Sequence, residues 1–342
     1  MDQRHAVCKK CVLCENSPSV TINADGKCNI CSNFECDKIK TPSSNDRFFL
    51  ESELVKILKK YQGKGEHDCL LMCSGGRDSV AALYYIKKKY HLNPLVLTFD
   101  NGFEDDTARK NVENAVEILG VDWIYHKSFF MNDMYREVIE GKWAFPLCPL
   151  CSLWYMQLVY DTATKFDLKL IIGGWTRGQV TEMASSSKVK NNQASDIEFN
   201  HICKDIEPFI DHARKKFEKY RDFPKNMQEV RDRFKISKKT ELISPHWFLP
   251  TEPIEYEKLI KDELKWNRIP RSYPLESTNC KLNIIGSWIS FQKFGITHFH
   301  VEMSKLIRQG KMTKEEAEAL LKMDFSKEYL NEILKKINCK ID

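Results

Sequence analysis

The chain has 342 residues, enough for one large domain or two, and is read as one large domain with small attachments. Hydrophobic residues make up 42% and charged residues 30%, and no apolar run is long enough to cross a bilayer, so a membrane-spanning protein is excluded and a soluble, cytoplasmic globular one is expected. The net charge of +5 is small, and basic residues alternate with acidic ones, so charge alone demands no nucleic acid.

The polar, cysteine-rich start does not read as a secretory signal, and none is expected. Thirteen cysteines in such a chain point to metal binding or reactivity before disulfides. Cys8-Lys9-Lys10-Cys11 and Cys28-Asn29-Ile30-Cys31 form two C-x-x-C knuckles, and Asp25-Gly26 supplies the turn between them. This spacing predicts a zinc ribbon over residues 1–36, with Zn2+ held by Cys8, Cys11, Cys28 and Cys31. Four thiolates leave no open position, so the site is read as structural. Cys14 and Cys36 stand as alternatives for one ligand, or as bystanders.

Residues 37–66 read as a polar linker followed by a helix, with Phe49, Leu50, Leu54, Ile57, Leu58 and Tyr61 at helical spacing over 49–61. From 67 to 184 strands and helices alternate: strands 69–73, 94–99, 122–126 and 168–173, helices 79–90, 106–119 and 152–166. Such alternation predicts an α/β fold with a doubly wound parallel sheet. Ligands of such sheets collect at the carboxyl ends of the strands.

The first strand runs into the most informative segment, Cys73-Ser74-Gly75-Gly76-Arg77-Asp78-Ser79-Val80. Two glycines let the backbone turn tightly and approach an anion, and Ser74, Ser79 and the amides of Val80, Ala81 and Ala82 are expected to offer donors, aided by the helix dipole. The spacing is neither a Walker A loop nor a dinucleotide fingerprint. Without a ligand, the same turn would be read as tight packing. Gly173 and Gly174, after the fourth strand, would let backbone approach a bound ligand, with Arg177 facing phosphate, or they mark a strand exit.

Cys148-Pro149-Leu150-Cys151 precedes the helix at 152–166. Cys203, Cys280 and Cys339 follow it, and Cys280, in a polar loop ahead of an apolar helix, is the best third partner. Three thiolates suit a 4Fe-4S cluster with one open iron better than closed zinc. The plain alternative is a pair of buried apolar thiols. Residues 185–245 are strongly charged and read as an insertion or lid, most simply a solvated face. A helical region at 246–342 completes the chain.

Ser74-Gly75-Gly76-Arg77-Asp78-Ser79 matches S-G-G-x-D-S, and on it the chain resembles the PP-loop ATP pyrophosphatases, with Arg77 where many members carry Lys. The resemblance implies ATP bound by residues 74–79 with Mg2+, which Asp78 helps place. AMP is then transferred to a substrate carbonyl oxygen, pyrophosphate is released with its charge offset by Arg77, and the oxygen is replaced by nitrogen or sulfur. It also puts the adenine near Phe99, Asp100 and Asn101. The cysteines at 148, 151 and 280 resemble the arrangement in the cluster-dependent tRNA thiolases of that group. The whole chain is similar to the N-acetyl sugar amidotransferases of lipopolysaccharide and flagellin-glycan pathways. That likeness rests on Cys8-Lys9-Lys10-Cys11-Val12, the run from Asp25 to Cys31, the 74–79 turn, Lys293-Phe294-Gly295-Ile296, and the run from Leu306 to Ala317. Those relatives imply ammonia from a separate glutaminase. The extra cysteines instead favour sulfur from a sulfur donor as the incoming atom, with amidation of an N-acetyl sugar, free or nucleotide-linked, as the close alternative. A tRNA thiolase whose ribbon grips RNA, and a non-catalytic nucleotide-binding regulator, are the alternatives. A homo-oligomer is compatible with any of these readings.

Overall fold

In a computed structural model of the chain the described residues are 6–15, 20–34, 44–141, 143, 147–175, 206–235, 240–274 and 279–341. The segment holding Arg177 and Cys203, and the one holding Cys36, lie outside them. The chain divides into two compact units, residues 1–41, 144–146 and 270–342 in one and 42–143 and 147–269 in the other.

In the first unit, antiparallel bridges Val7–Cys14 and Ile22–Cys28 frame the two cysteine knuckles. The chain reverses through Gly26, whose φ of 77° suits glycine, and helix α1 (Asn29–Asn33) starts at the second knuckle. Helices Lys281–Phe294, His298–Arg308, Lys314–Leu320 and Lys327–Leu334 follow. Thr297 with His300 and Thr313 with Glu316 form reciprocal caps that fix two helix starts. The ribbon packs on this layer: Leu13, Cys14 and Val20 share a core with Ile296, flanked by Phe294 and Ile307.

The second unit is built on five parallel strands, β1 (Cys69–Met72), β2 (Pro94–Asp100), β3 (Trp123–Lys127), β4 (Leu170–Ile172) and β5 (Glu241–Ile243), in the order β3-β2-β1-β4-β5. The expected α/β parallel sheet is therefore present. Leu71 lies opposite Val96 on one side and Ile172 on the other. The central strands β1 and β4 are wholly buried, which is why they read as continuous apolar runs rather than alternating ones. Helix α2 (Ser44–Lys59) precedes β1, and α3 (Arg77–Tyr84), α4 (Asp106–Leu119), α5 (Asn132–Glu140) and α6 (Leu147–Lys165) connect the strands from β1 to β4, α3 ending in a π turn over Tyr85–Lys89. Asp105 caps α4 by accepting from the Thr107 amide at 2.9 Å, and Gly120, with φ 58°, ends it.

Three expectations need correction. The segment 185–245 is no plain solvated face where it is described. It supplies β5 and the helices Glu207–Lys216 and Met227–Arg233, with Phe209, Ile210, Tyr220, Phe223 and Val230 buried. Phe223 and Phe130 stack on Trp154 of α6 at 5.8 and 4.4 Å, so aromatic residues scattered among the charges make a seam. The helix expected from 152 begins at Leu147 and takes in both Cys148 and Cys151; Pro149 is tolerated because first-turn amides lack intrahelical partners. The sheet unit also extends to residue 269, into the region read as C-terminal helical. Among the described residues, no helix is long and apolar enough to cross a membrane.

Candidate nucleotide site and metal centre

The strand order reverses beside β1: the chain passes from β1 to β2 and β3 on one side, then crosses to β4 and β5 on the other. A crevice opens at such a switch point beyond the carboxyl ends of the strands. Here those ends carry the 74–79 turn after β1 and Gly173-Gly174 after β4. Gly75 takes φ 73°, and a Cβ on it would sit 1.9 Å from the Ala108 carbonyl oxygen. A Cβ on Gly174 would sit 2.6 Å from the Ser79 Cα, so the exit of β4 lies directly against the start of α3. Both positions need glycine for close approach.

The turn is shaped from within by Ser79. Its hydroxyl accepts from the Ser74 amide at 3.1 Å, donates to the Gly76 carbonyl at 3.1 Å and lies 3.2 Å from the Ser74 hydroxyl. Its one proton is thus committed inside the turn, and Ser79 organises the loop instead of pointing a donor outward. The helix starts at Arg77, and the Val80 amide already bonds Gly76 O at 3.1 Å. The first-turn amides suited to an anion are therefore those of Arg77, Asp78 and Ser79, not those of residues 80–82.

Residues far along the chain hold this turn, and sequence reading missed them. Gly75 O accepts from Asn111 Nδ2 at 3.1 Å and from Trp266 Nε1 at 3.0 Å. His246 Nε2 donates to Asp78 O at 2.8 Å. With its carbonyls drawn away, the turn keeps its amide side for a ligand. Tyr256 donates to Asp78 Oδ1 at 2.8 Å, where Arg77 Nε also donates at 3.0 Å, and its ring lies 5.6 Å beneath the Arg77 guanidinium. Glu257 lies 3.7 Å from Arg77 and 2.7 Å from Arg268. Burial works against ionisation of Glu257, yet Lys261 and Arg268 hold its pKa below the usual range.

Residues 99–101, expected near adenine, divide into different roles. Phe99 is half-buried and stacks on Tyr155 at 5.5 Å. Asp100 is buried: Oδ1 accepts from the amides of Gly102 and Glu104 at 2.7 and 3.3 Å, and Oδ2 from Tyr125 and Lys127 at 2.7 and 3.0 Å. Burial opposes its charge, but these donors outweigh it and lower its pKa. Asn101 accepts from the Phe103 amide at 3.0 Å and donates to Cys151 Sγ at 3.4 Å. Asp100 and Asn101 are thus largely spent on shaping the β2–α4 turn.

Cys148 is exposed and Cys151 half-buried, three residues apart on one face at the start of α6. Burial pushes the Cys151 thiol up. A hydrogen bond to the Cys151 sulfur suits a cluster thiolate. Cys280 belongs to the other unit, at the N-cap of Lys281–Phe294.

In the ribbon, Cys8, Cys11, Cys28 and Cys31 are buried with their sulfurs all within 4.8 Å of one another, and Cys11 Sγ lies 3.8 Å from Cys28 Sγ. Metal–sulfur bonds of about 2.3 Å in a tetrahedron place sulfurs about 3.8 Å apart, so the donor set fits Zn2+. Burial opposes ionisation of Cys8, yet the amides of Cys28, Cys11 and Lys10 bring its thiol down to about 6. Cys28 and Cys31 are pushed up by burial and by neighbouring thiols, a repulsion that a divalent cation would offset.

Residues 268–342 match the family described as LPS biosynthesis protein WbpG-like, C-terminal domain. That WbpG-like segment contains both late strings, 293–296 and 306–317, on which the sugar amidotransferase resemblance rests. A curated relative, Uncharacterized protein MJ1599 of Methanocaldococcus jannaschii, is 31% identical over 170 residues, which are 48% of this chain and 58% of that protein. Among solved structures, the U34-tRNA thiolase NcsA from Methanococcus maripaludis with its 4Fe-4S cluster is 15% identical at a TM-score of 0.38, covering 78% of each chain. The NMN synthetase from Francisella tularensis is 12% identical, also at a TM-score of 0.38, covering 86% of this chain and 98% of its own.

Proposed function

We propose that the chain is an ATP-dependent enzyme that adenylates a carbonyl oxygen of a small substrate and replaces that oxygen with another atom. The observation that carries this reading is the 74–79 turn at the β1/β4 switch point, with its Gly75 and Gly76 carbonyls bonded back into the protein, which would leave the helix-start amides to an anion. Those amides and Arg77 would stabilise charge gathering on pyrophosphate as it leaves. Asp78, with Oδ1 held by Tyr256 and Arg77, is the carboxylate that would hold Mg2+.

Sulfur is the favoured incoming atom, because Cys148 and Cys151 share a face at the helix start and Asn101 donates to Cys151. The two cysteines would be ligands of a 4Fe-4S cluster, which when bound would supply an open iron for a sulfur atom. Amidation of an N-acetyl sugar in surface-glycan synthesis, with ammonia from a partner glutaminase, is the second reading, favoured by the WbpG-like match. The zinc ribbon is assigned a structural role in both.

The test is to incubate the protein with ATP, Mg2+ and free or nucleotide-linked N-acetyl sugars and to measure AMP and pyrophosphate. Substrate-dependent release of both supports adenylation; cleavage to ADP and phosphate, or no turnover with any carbonyl substrate, sinks it. Iron and sulfide in anaerobically purified protein, lost in Cys148→Ala and Cys151→Ala while zinc stays, would decide for sulfur; zinc alone would decide for ammonia.

A further inference from the structure

Glu104 sits in the β2–α4 turn, and its surroundings decide where a proton lies. Tyr125 Oη is 2.7 Å from Asp100 Oδ2 and 3.2 Å from Glu104 Oε2, so one hydroxyl stands between two carboxyl groups. A hydroxyl has a single proton to give. The shorter contact goes to Asp100, which also gathers Lys127 and the amides of Gly102 and Glu104 and is the natural seat of the negative charge. The contact between Tyr125 and Glu104 then needs its hydrogen from Glu104. The other oxygen, Glu104 Oε1, is buried without a hydrogen-bond partner among the described residues, a place where a carboxylate charge costs far more than a neutral acid.

We propose that Glu104 is a protonated carboxylic acid at neutral pH, donating to Tyr125, which donates to Asp100, and that polyphosphate binding at the 74–79 turn is linked to this proton. The groups acting on Glu104 agree. Burial first, and then the Asp100 charge, push its pKa up to about 8, against Tyr125, Arg109 and Lys127, which lower it. The β2–α4 turn that holds Glu104 borders the 74–79 turn: Thr98 of β2 donates to the Cys73 carbonyl at 2.7 Å, and a Cβ on Gly75 would sit 1.9 Å from the Ala108 carbonyl oxygen of α4. A charge appearing there would repel the phosphates, so binding and protonation favour each other. This second half rests on the nucleotide reading above; the first half does not.

Carbon-13 carboxyl labelling of glutamate, with Glu104→Gln to assign the resonance, reads the titration directly in the full chain. A midpoint near 8 is expected, against about 4.3 for an ordinary glutamate. A midpoint in the ordinary range overturns the proposal whatever the protein binds. Calorimetry with inorganic pyrophosphate and Mg2+ at pH 8, in buffers of different ionisation heat, should show more proton uptake in the wild type than in Glu104→Gln, the difference cancelling the ligand's own ionisation. The wild-type affinity should fall by up to about tenfold per pH unit above the midpoint relative to the variant. Equal proton uptake in the wild type and the variant overturns the linkage. Absence of pyrophosphate binding at every pH overturns the nucleotide reading and the linkage together, while the carboxyl midpoint still decides the protonation of Glu104.

Discussion

Trp266 donates its indole N–H to the carbonyl of Gly75 at 3.0 Å, across 191 residues of sequence. The same carbonyl takes Asn111, whose side chain also bonds both the amide and the carbonyl of Asn267 at 2.8 Å. The most constrained atom of the glycine turn is therefore fixed by α4 and by the segment after helix Pro253–Leu264.

Loosening this anchor should separate two contributions. Trp266→Phe removes one donor while Asn111 still satisfies Gly75 O, and a loss of about 1 kcal/mol is expected. Asn111→Ala removes three hydrogen bonds, one buried and two part-buried, and should cost about 3 kcal/mol. Denaturant unfolding of both variants checks the order; equal losses would mean that the indole does more than donate.

Gly75→Ala should fail more severely. It combines φ 73° with a Cβ 1.9 Å from backbone oxygen, so α4 must move, and a loss of at least about 3 kcal/mol is expected together with loss of ATP binding. Gly120→Ala has φ 58° but nothing within 4 Å of the added Cβ, and should cost about 1 kcal/mol with ATP binding retained. Thermal unfolding with and without ATP distinguishes them.

The raised pKa of Glu104 gives a stability profile with a definite sign. The folded state holds the proton between about pH 4.3, the unfolded value, and about 8, so its contribution is complete below that window and is lost as pH rises through it. Glu104→Gln should flatten the decline between pH 5 and 8, read as the midpoint of urea unfolding at each pH. A wild-type curve parallel to the variant's would contradict it.

Zinc removal should act on the ribbon unit. Cys11→Ser, or chelation, is expected to release one zinc per chain and to abolish protection of the backbone around residues 7–14 and 21–29 in hydrogen exchange, since metal binding and local folding are coupled. Protection of Leu71, Val96 and Ile172 in the sheet should survive. Unchanged protection of the ribbon without metal would refute the structural role.

What was legible in the sequence followed physical period and spacing. Cys69-Leu70-Leu71-Met72 reads as a buried parallel strand because both faces are covered, and the knuckles at Cys8 and Cys28 announce convergence through their spacing. Strand β5 escaped notice because Glu241-Leu242-Ile243 is only three residues long in a charged stretch. Helix α5 and the early start of α6 were hidden by Gly141 and Pro149, which read as loop. The supports of the turn, Asn111, His246, Tyr256, Glu257 and Trp266, have no local signature, since their meaning comes from tertiary contact alone. Glu104 offered at most its place four residues after Asp100, which without Tyr125 between them says nothing.

The ribbon's thiols and the helices they pack on are synthesised far apart in time. Lys314 Nζ bonds the Cys8 carbonyl at 2.9 Å, and Cys14 Sγ lies 3.8 Å from the Phe294 carbonyl, so the ribosome must make roughly three hundred further residues before Cys8 and Cys14 meet these partners. During that interval five of the cysteines buried in the finished ribbon are open to oxidation, copper or mispairing. Early capture of zinc by the nascent knuckles would serve as their chaperone, and cells short of zinc should accumulate chains that fail at birth rather than enzyme that fails in use.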